Sequence, residues 1–231
     1  MNPRMRSFLL SLLLLVTATA SHAGPPRPDV TGTVAPPPVI GTPLEGEART
    51  AAIQSIEAYL TSIGSIVADF TQESADGSSG SGKFFLKRPG KMRWQYNPPT
   101  PILLVSDGKV ITYYDAGLDQ VTYVGIDDTL AGFLTRREIK LESDSTKITA
   151  LTRTEDGLLR VTLIQRKKPE DGSLTLELAE KPMNLVHMIA VDATGNATTV
   201  SLAKAQFGPV LDDKLFTFED PRGVNRKRNR R

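Results

Sequence analysis

The stretch Gly82-Lys83-Phe84-Phe85-Leu86-Lys87-Arg88-Pro89-Gly90-Lys91-Met92-Arg93-Trp94-Gln95-Tyr96 reads as two strands and the turn between them. Phe84 and Leu86 alternate with Lys83 and Lys87, and Met92, Trp94 and Tyr96 alternate with Arg93 and Gln95. Successive side chains of a strand point to opposite faces, so a period of two gives each strand one apolar and one polar side. Arg88-Pro89-Gly90 breaks the run, because proline cannot donate to a ladder and glycine reaches turn conformations at no steric cost.

The same texture extends in both directions. Short β-branched or aromatic runs are expected as strands at 65–73, 102–106, 110–114 and 120–124, with Asn97-Pro98-Pro99 and Asp107-Gly108 as turns. Further strands are expected at 147–153, 158–165, 173–179, 185–192, 197–202 and 215–218, separated by Glu155-Asp156-Gly157, Asp171-Gly172 and Gly195-Asn196. Leu174, Leu176 and Leu178 share a face that excludes Glu177. The glycine-rich run 77–82 leads into a strand, whereas a phosphate loop opens a helix, so it reads as a mobile hairpin connection.

Two segments follow a helical period instead. Ile53, Ile56, Leu60 and Ile63 form one stripe of a helix from Glu47 to Ile63, closed by Gly64. Leu130, Phe133 and Leu134 mark a short helix within 127–136, with Asp127 or Asp128 as its cap. About a dozen antiparallel strands exceed what a twisted open sheet carries before curling. The expected fold is therefore mainly β with helices: a barrel or half-barrel with its apolar concave side capped by the two helical segments.

The ends differ from this body. Arg4 and Arg6, an apolar run from Phe8 to Val16 and Ser21-His22-Ala23 read as a signal peptide over residues 1–23, too short for a membrane span. Residues 24–46 hold seven of the 16 prolines and read as an extended, disordered linker. The half-barrel domain is expected over 47–224 and a basic tail over 225–231. Of 28 Lys and Arg, two fall in the signal and six in the last ten positions, leaving 20 against 26 Asp and Glu in the body. A weakly acidic body with a basic end is not the footprint of a nucleic-acid-binding domain, although Arg226 to Arg231 could meet an anionic surface.

Much enzymology is excluded by composition. The chain has no Cys and two His, of which His22 leaves with the signal. His187 sits in a strand pattern without a serine elbow or a second histidine, so neither a hydrolase triad nor a histidine metal site is supported, and no cofactor is called for. Asp127-Asp128, Glu170-Asp171 and Asp212-Asp213 read as caps and turns.

Phe70-Thr71-Gln72, Lys87-Arg88-Pro89, Met92 with Trp94, Leu104-Val105-Ser106-Asp107-Gly108-Lys109, Tyr114-Asp115, Gln120-Val121-Thr122, and Leu215-Phe216-Thr217-Phe218 with Pro221-Arg222-Gly223-Val224 stand in the order of a known family. On these residues the chain resembles the periplasmic outer-membrane lipoprotein carrier family, LolA. The resemblance implies an incomplete antiparallel β-barrel under a helical lid. It implies no reaction, but carriage of acylated lipoproteins through the periplasm from an inner-membrane release complex to an outer-membrane acceptor, by a monomer. It also implies that Phe70, Phe84, Leu86, Met92 and Trp94 line the lipid-binding surface, with Leu130, Phe133 and Leu134 in the lid. Arg88 would hydrogen-bond that lid and control its opening, its five donors being enough for several orphan carbonyls at helix ends. Gly132 and the two unusual ends depart from the family pattern. A lipid- or lipoprotein-sensing module of the same fold is the rival reading.

Overall fold

The computed structural model describes residues 40–222. The expected signal, most of the proline-rich leader and the basic tail lie outside the described residues. Twelve antiparallel strands form one sheet: β1 (Thr42–Pro43), β2 (Ser65–Ser74), β3 (Ser79–Lys87), β4 (Lys91–Tyr96), β5 (Ile102–Asp107), β6 (Val110–Asp115), β7 (Gln120–Gly125), β8 (Thr146–Arg153), β9 (Leu159–Gln165), β10 (Gly172–Glu180), β11 (Met183–Asp192) and β12 (Ala197–Phe207). Their order is β1-β8-β9-β10-β11-β12-β2-β3-β4-β5-β6-β7. Two meanders, β2 to β7 and β8 to β12, are therefore joined by the pairing of β12 with β2, and the sheet ends at β1 and β7 instead of closing. Helix α1 (Gly46–Ser62) precedes the first meander, and the short α2 (Leu130–Phe133) lies between the two.

The alternation read from the sequence sets the faces. Phe84 pairs with Trp94 and Leu86 with Met92 across β3 and β4, all four buried on the concave side. Phe70 of β2 lies edge-on to Trp94 and to Tyr96, with ring centroids 4.9 Å apart in both cases, while Phe84 stacks obliquely on Trp94 at 4.2 Å. Such aromatic pairs add about 0.5–1.5 kcal/mol each beyond their buried area. Gly82, opposite Tyr96, makes room for this cluster: a Cβ there would stand 2.7 Å from the Phe70 ring and 2.1 Å from the Gln95 carbonyl oxygen. On the other face Lys83 pairs with Asp69 at 2.9 Å.

Four expectations are corrected. The segment 215–218 is not a strand; a 3-10 turn occupies Asp213–Phe216, and Leu211 and Phe216 bury against Val105 on the outer face of the sheet. The proline-rich leader does not remain a linker as far as residue 46, because Thr42–Pro43 pairs with β8 and Leu44 packs on the core. The run 77–82 is mostly strand, with β3 already begun at Ser79. The second helix is shorter than 127–136: a 3-10 turn at Ile126–Asp128 precedes α2, and the cap is Thr129, not Asp127 or Asp128.

Candidate functional site

Helix α1 lies over the concave face by its stripe of Ala52, Ile56, Leu60 and Ile63, all buried. Hydrogen bonds fix its position. The Tyr59 hydroxyl accepts from Leu185 N at 3.0 Å on β11. Glu57 accepts from Leu141 N at 2.8 Å, and Thr61 accepts from Ile139 N at 3.0 Å. Burial pushes the Tyr59 phenol above its ordinary value.

The lid segment is built on Gly132. Thr129 Oγ1 accepts from Gly132 N at 3.0 Å, and Thr135 Oγ1 donates to Gly132 O at 2.7 Å. A Cβ at position 132 would come within 1.9 Å of the Ile126 carbonyl oxygen, so the tight approach of α2 to the preceding 3-10 turn demands glycine. The departure at Gly132, a poor helix former, is a packing requirement.

Two apolar clefts lie beneath these covers. One, about 670 Å³ including space continuous with solvent, opens between the end of α1 and strands β11 and β12; Leu60, Ile63, Phe84, Leu86, Leu185 and Leu202 line it. The other, about 690 Å³ on the same measure, lies between α2 and the sheet, against Trp94, Leu104, Ile111, Leu130, Leu174 and Val200. Leu134 and Met188 line both, so the clefts meet at the residue that ends the lid. Of the eight residues named for lipid binding, Phe84, Leu86, Trp94, Leu130 and Leu134 form the cleft walls. Phe70, Met92 and Phe133 sit in the core that backs them, each at most 2% exposed.

Arg88 closes the arrangement. Its Nε and Nη2 donate to Leu134 O at 3.1 and 2.9 Å. Its Nη1 donates to Ile63 O at 2.9 Å and also to Leu60 O. One guanidinium thus satisfies carbonyls at the C-terminal ends of both helical covers, groups that a helix leaves orphaned. Loss of water pushes it down to about 10, which leaves it charged at neutral pH.

Sequence reasoning missed the contribution of β11. Leu185-Val186-His187-Met188-Ile189-Ala190 is apolar on both parities, so alternation does not choose a face. The register does: Met188 pairs with Leu176 and Ala190 with Leu174, both already assigned inward. His187 faces outward, with Nδ1 2.9 Å from Glu177 Oε2. Among the described residues no group of three or more His, Cys, Asp and Glu is placed to hold a metal ion, and no helix is long and apolar enough to cross a membrane.

Residues 61–219 match the family model for the outer membrane lipoprotein carrier protein LolA. The chain belongs to the LolA family. An outer-membrane lipoprotein carrier protein of Pseudomonas paraeruginosa is 31% identical over 195 residues, 80% of this chain and 92% of the relative. One from Methylococcus capsulatus is 31% identical over 196 residues, covering 81% and 93%. A solved LolA superfamily protein from Nitrosomonas europaea overlaps 72% of this chain and 97% of its own at 14% identity, with a TM-score of 0.42. The family is one of carriers, not of enzymes.

Proposed function

We propose that the protein is a periplasmic carrier that shelters the acyl chains of lipoproteins and moves them from an inner-membrane release complex to an outer-membrane acceptor. The observation that carries this reading is the meeting of two apolar clefts at Leu134, a residue whose carbonyl is held by Arg88. Each buried methylene is worth about 0.8 kcal/mol, so an acylated protein leaves a bilayer only for another apolar shelter. The shelter must also release its cargo. A cover fixed by a few hydrogen bonds from one charged guanidinium to backbone carbonyls suits that need, because each such bond is worth about 1.5–3 kcal/mol net and the covers can part without unravelling the sheet.

Phe84, Leu86, Trp94, Leu130 and Leu134 would contact the chains directly, and Phe70, Met92 and Phe133 would hold those walls in place. Native mass spectrometry of the protein purified from the cell envelope tests the reading. Bound acylated protein or peptide is expected; a chain that emerges empty and fails to bind a synthetic diacylated peptide would overturn it.

A further inference from the structure

We propose that the segment Phe207-Gly208-Pro209-Val210 is a membrane-docking lip that inserts into the lipid surface at the mouth of the first cleft. Phe207 is half-exposed and Val210 fully exposed, although Leu211, the next residue, is buried. The exposure is built in. Phe207 pairs with Ile66 as the last residue of β12, Gly208 N donates to Ser65 O at 3.0 Å, and Ser65 Oγ donates to Pro209 O at 2.8 Å. Beyond the lip, Lys87 Nζ donates to Leu211 O at 2.9 Å. A loop pinned on both sides cannot fold its apolar side chains away, so Val210 is held out in water.

Single exposed apolar residues are ordinary on protein surfaces. Here two of them, Phe207 and Val210, stand three positions apart in a fixed loop, and Phe207 also lines the first cleft. The lip is thus continuous with the wall along which an acyl chain would pass. Its surroundings carry more lysine than aspartate: Lys83 and Lys204 share Asp69, Lys87 and Lys91 share Asp213, and exposed Asp212 and Lys214 follow Leu211, so that five lysines against three aspartates leave an excess of two positive charges. Lys204 stands at a register shift of β12 with a left-handed backbone (φ 51°) and lines the same cleft mouth. Bulges redirect side chains at functional rims. Projecting apolar side chains ringed by lysines suit the interface of an anionic bilayer, where the rings and methyls enter the acyl boundary and the ammonium groups stay at head-group level. A protein partner would meet a broad complementary patch of some 20–30 residues; two protruding side chains are a small anchor for that.

Flotation with phosphatidylethanolamine–phosphatidylglycerol vesicles tests the lip, in high salt so that the basic residues 226–231 contribute little. Val210 touches neither cleft, which separates docking from cargo binding. Val210→Asp should weaken partition about tenfold and Val210→Trp should strengthen it about tenfold, the scale of burying one apolar side chain. The new tryptophan should be quenched by brominated lipid. Both variants should bind a soluble diacylated peptide as the parent does. Absence of the parent protein from the floated vesicles, equal partition of all three forms, or an effect of Val210 that arises only when envelope proteins are present in the vesicles would overturn the proposal, the last in favour of a protein partner. Failure of the parent to bind the soluble peptide would instead count against the carrier reading and leave the lip standing.

Discussion

Arg88 and Leu134 are joined by two hydrogen bonds to a single carbonyl oxygen, at 2.9 and 3.1 Å, while the remaining guanidinium nitrogen holds the end of α1. This is a mechanical link between the end of α1 at Ile63 and the end of the lid at Leu134, two covers remote from each other in the chain. The bond from Gly90 N to Thr135 O at 2.8 Å places the turn beside the lid. The arginine of an interstrand turn thereby couples sheet, helix and lid.

Replacing Arg88 by Leu removes that link and leaves up to three carbonyls without their donor. Loading of an acylated peptide should persist, and transfer to acceptor membranes should fall by an order of magnitude or more. Amide exchange over 130–135 should accelerate, because the lid loses its tie to the sheet. Arg88→Lys should recover only part of both, since one ammonium on a flexible stem cannot span Leu134 and Ile63 with a rigid fork. Transfer at the parental rate in Arg88→Leu would remove the residue from the release step.

Trp94 is 5% exposed, packed between Phe70 and Phe84, and forms a wall of the second cleft. It is the sole tryptophan of the chain, so its emission reports one place. A diacylated peptide entering the cleft should shift that emission to the blue or change its intensity in a saturable way. A soluble peptide without acyl chains should leave it unchanged. An unaltered spectrum at saturating acyl peptide would place the chains elsewhere.

Gly132→Ala tests the tight turn of the lid. The added methyl meets a backbone oxygen at 1.9 Å, which cannot swing aside as a long side chain would. A loss of about 1–3 kcal/mol is expected, the usual cost of overpacking, seen as a lower melting temperature. Gly64→Ala is the matched control: nothing lies within 4 Å of its Cβ position, and stability should change by less than about 0.5 kcal/mol. Equal melting of the two variants would mean that the approach of Gly132 to Ile126 relaxes freely.

The sheet was legible because alternation is a local property. Phe84, Leu86, Met92, Trp94 and Tyr96 declare their face without knowing their neighbours, and all are buried on it. The segment 215–218 escapes such a reading for the opposite reason. Leu215 to Phe218 is apolar enough for a strand, but its burial comes from Val105 and Phe85 on an outer face whose apolar character is sparse and non-periodic. At the lid, Asp127 and Asp128 were reasonable caps by residue type, yet Thr129 takes the role because the chain first makes a 3-10 turn that spends those positions. The value of Gly132 is equally hidden: it lies in contact with Ile126, which no helix propensity records. Met188 was hidden by a strand apolar on both sides and becomes visible only through its pairing with Leu176.

Asp213 supplies a test at acid pH. Lys87 and Lys91 hydrogen-bond its carboxylate and hold it down to about 2, against an ordinary value of 3.8. The folded value lies below the unfolded one, so the contribution to stability is present above about pH 4 and is lost as pH falls through about 2. The group is exposed, and salt should weaken the effect. Asp213→Asn should therefore melt slightly below the parent at neutral pH, with the gap closing between pH 4 and pH 2 and shrinking at high ionic strength. The site has a structural consequence as well: Lys87 also donates to Leu211 O at 2.9 Å, so the lysine that Asp213 orients helps pin the chain just after Val210. Proteolysis of the 209–216 segment should then quicken in Asp213→Asn at neutral pH and match the parent in acid. A gap that is independent of pH would show that Asp213 acts through packing of the turn at Asp213–Phe216 and not through its charge.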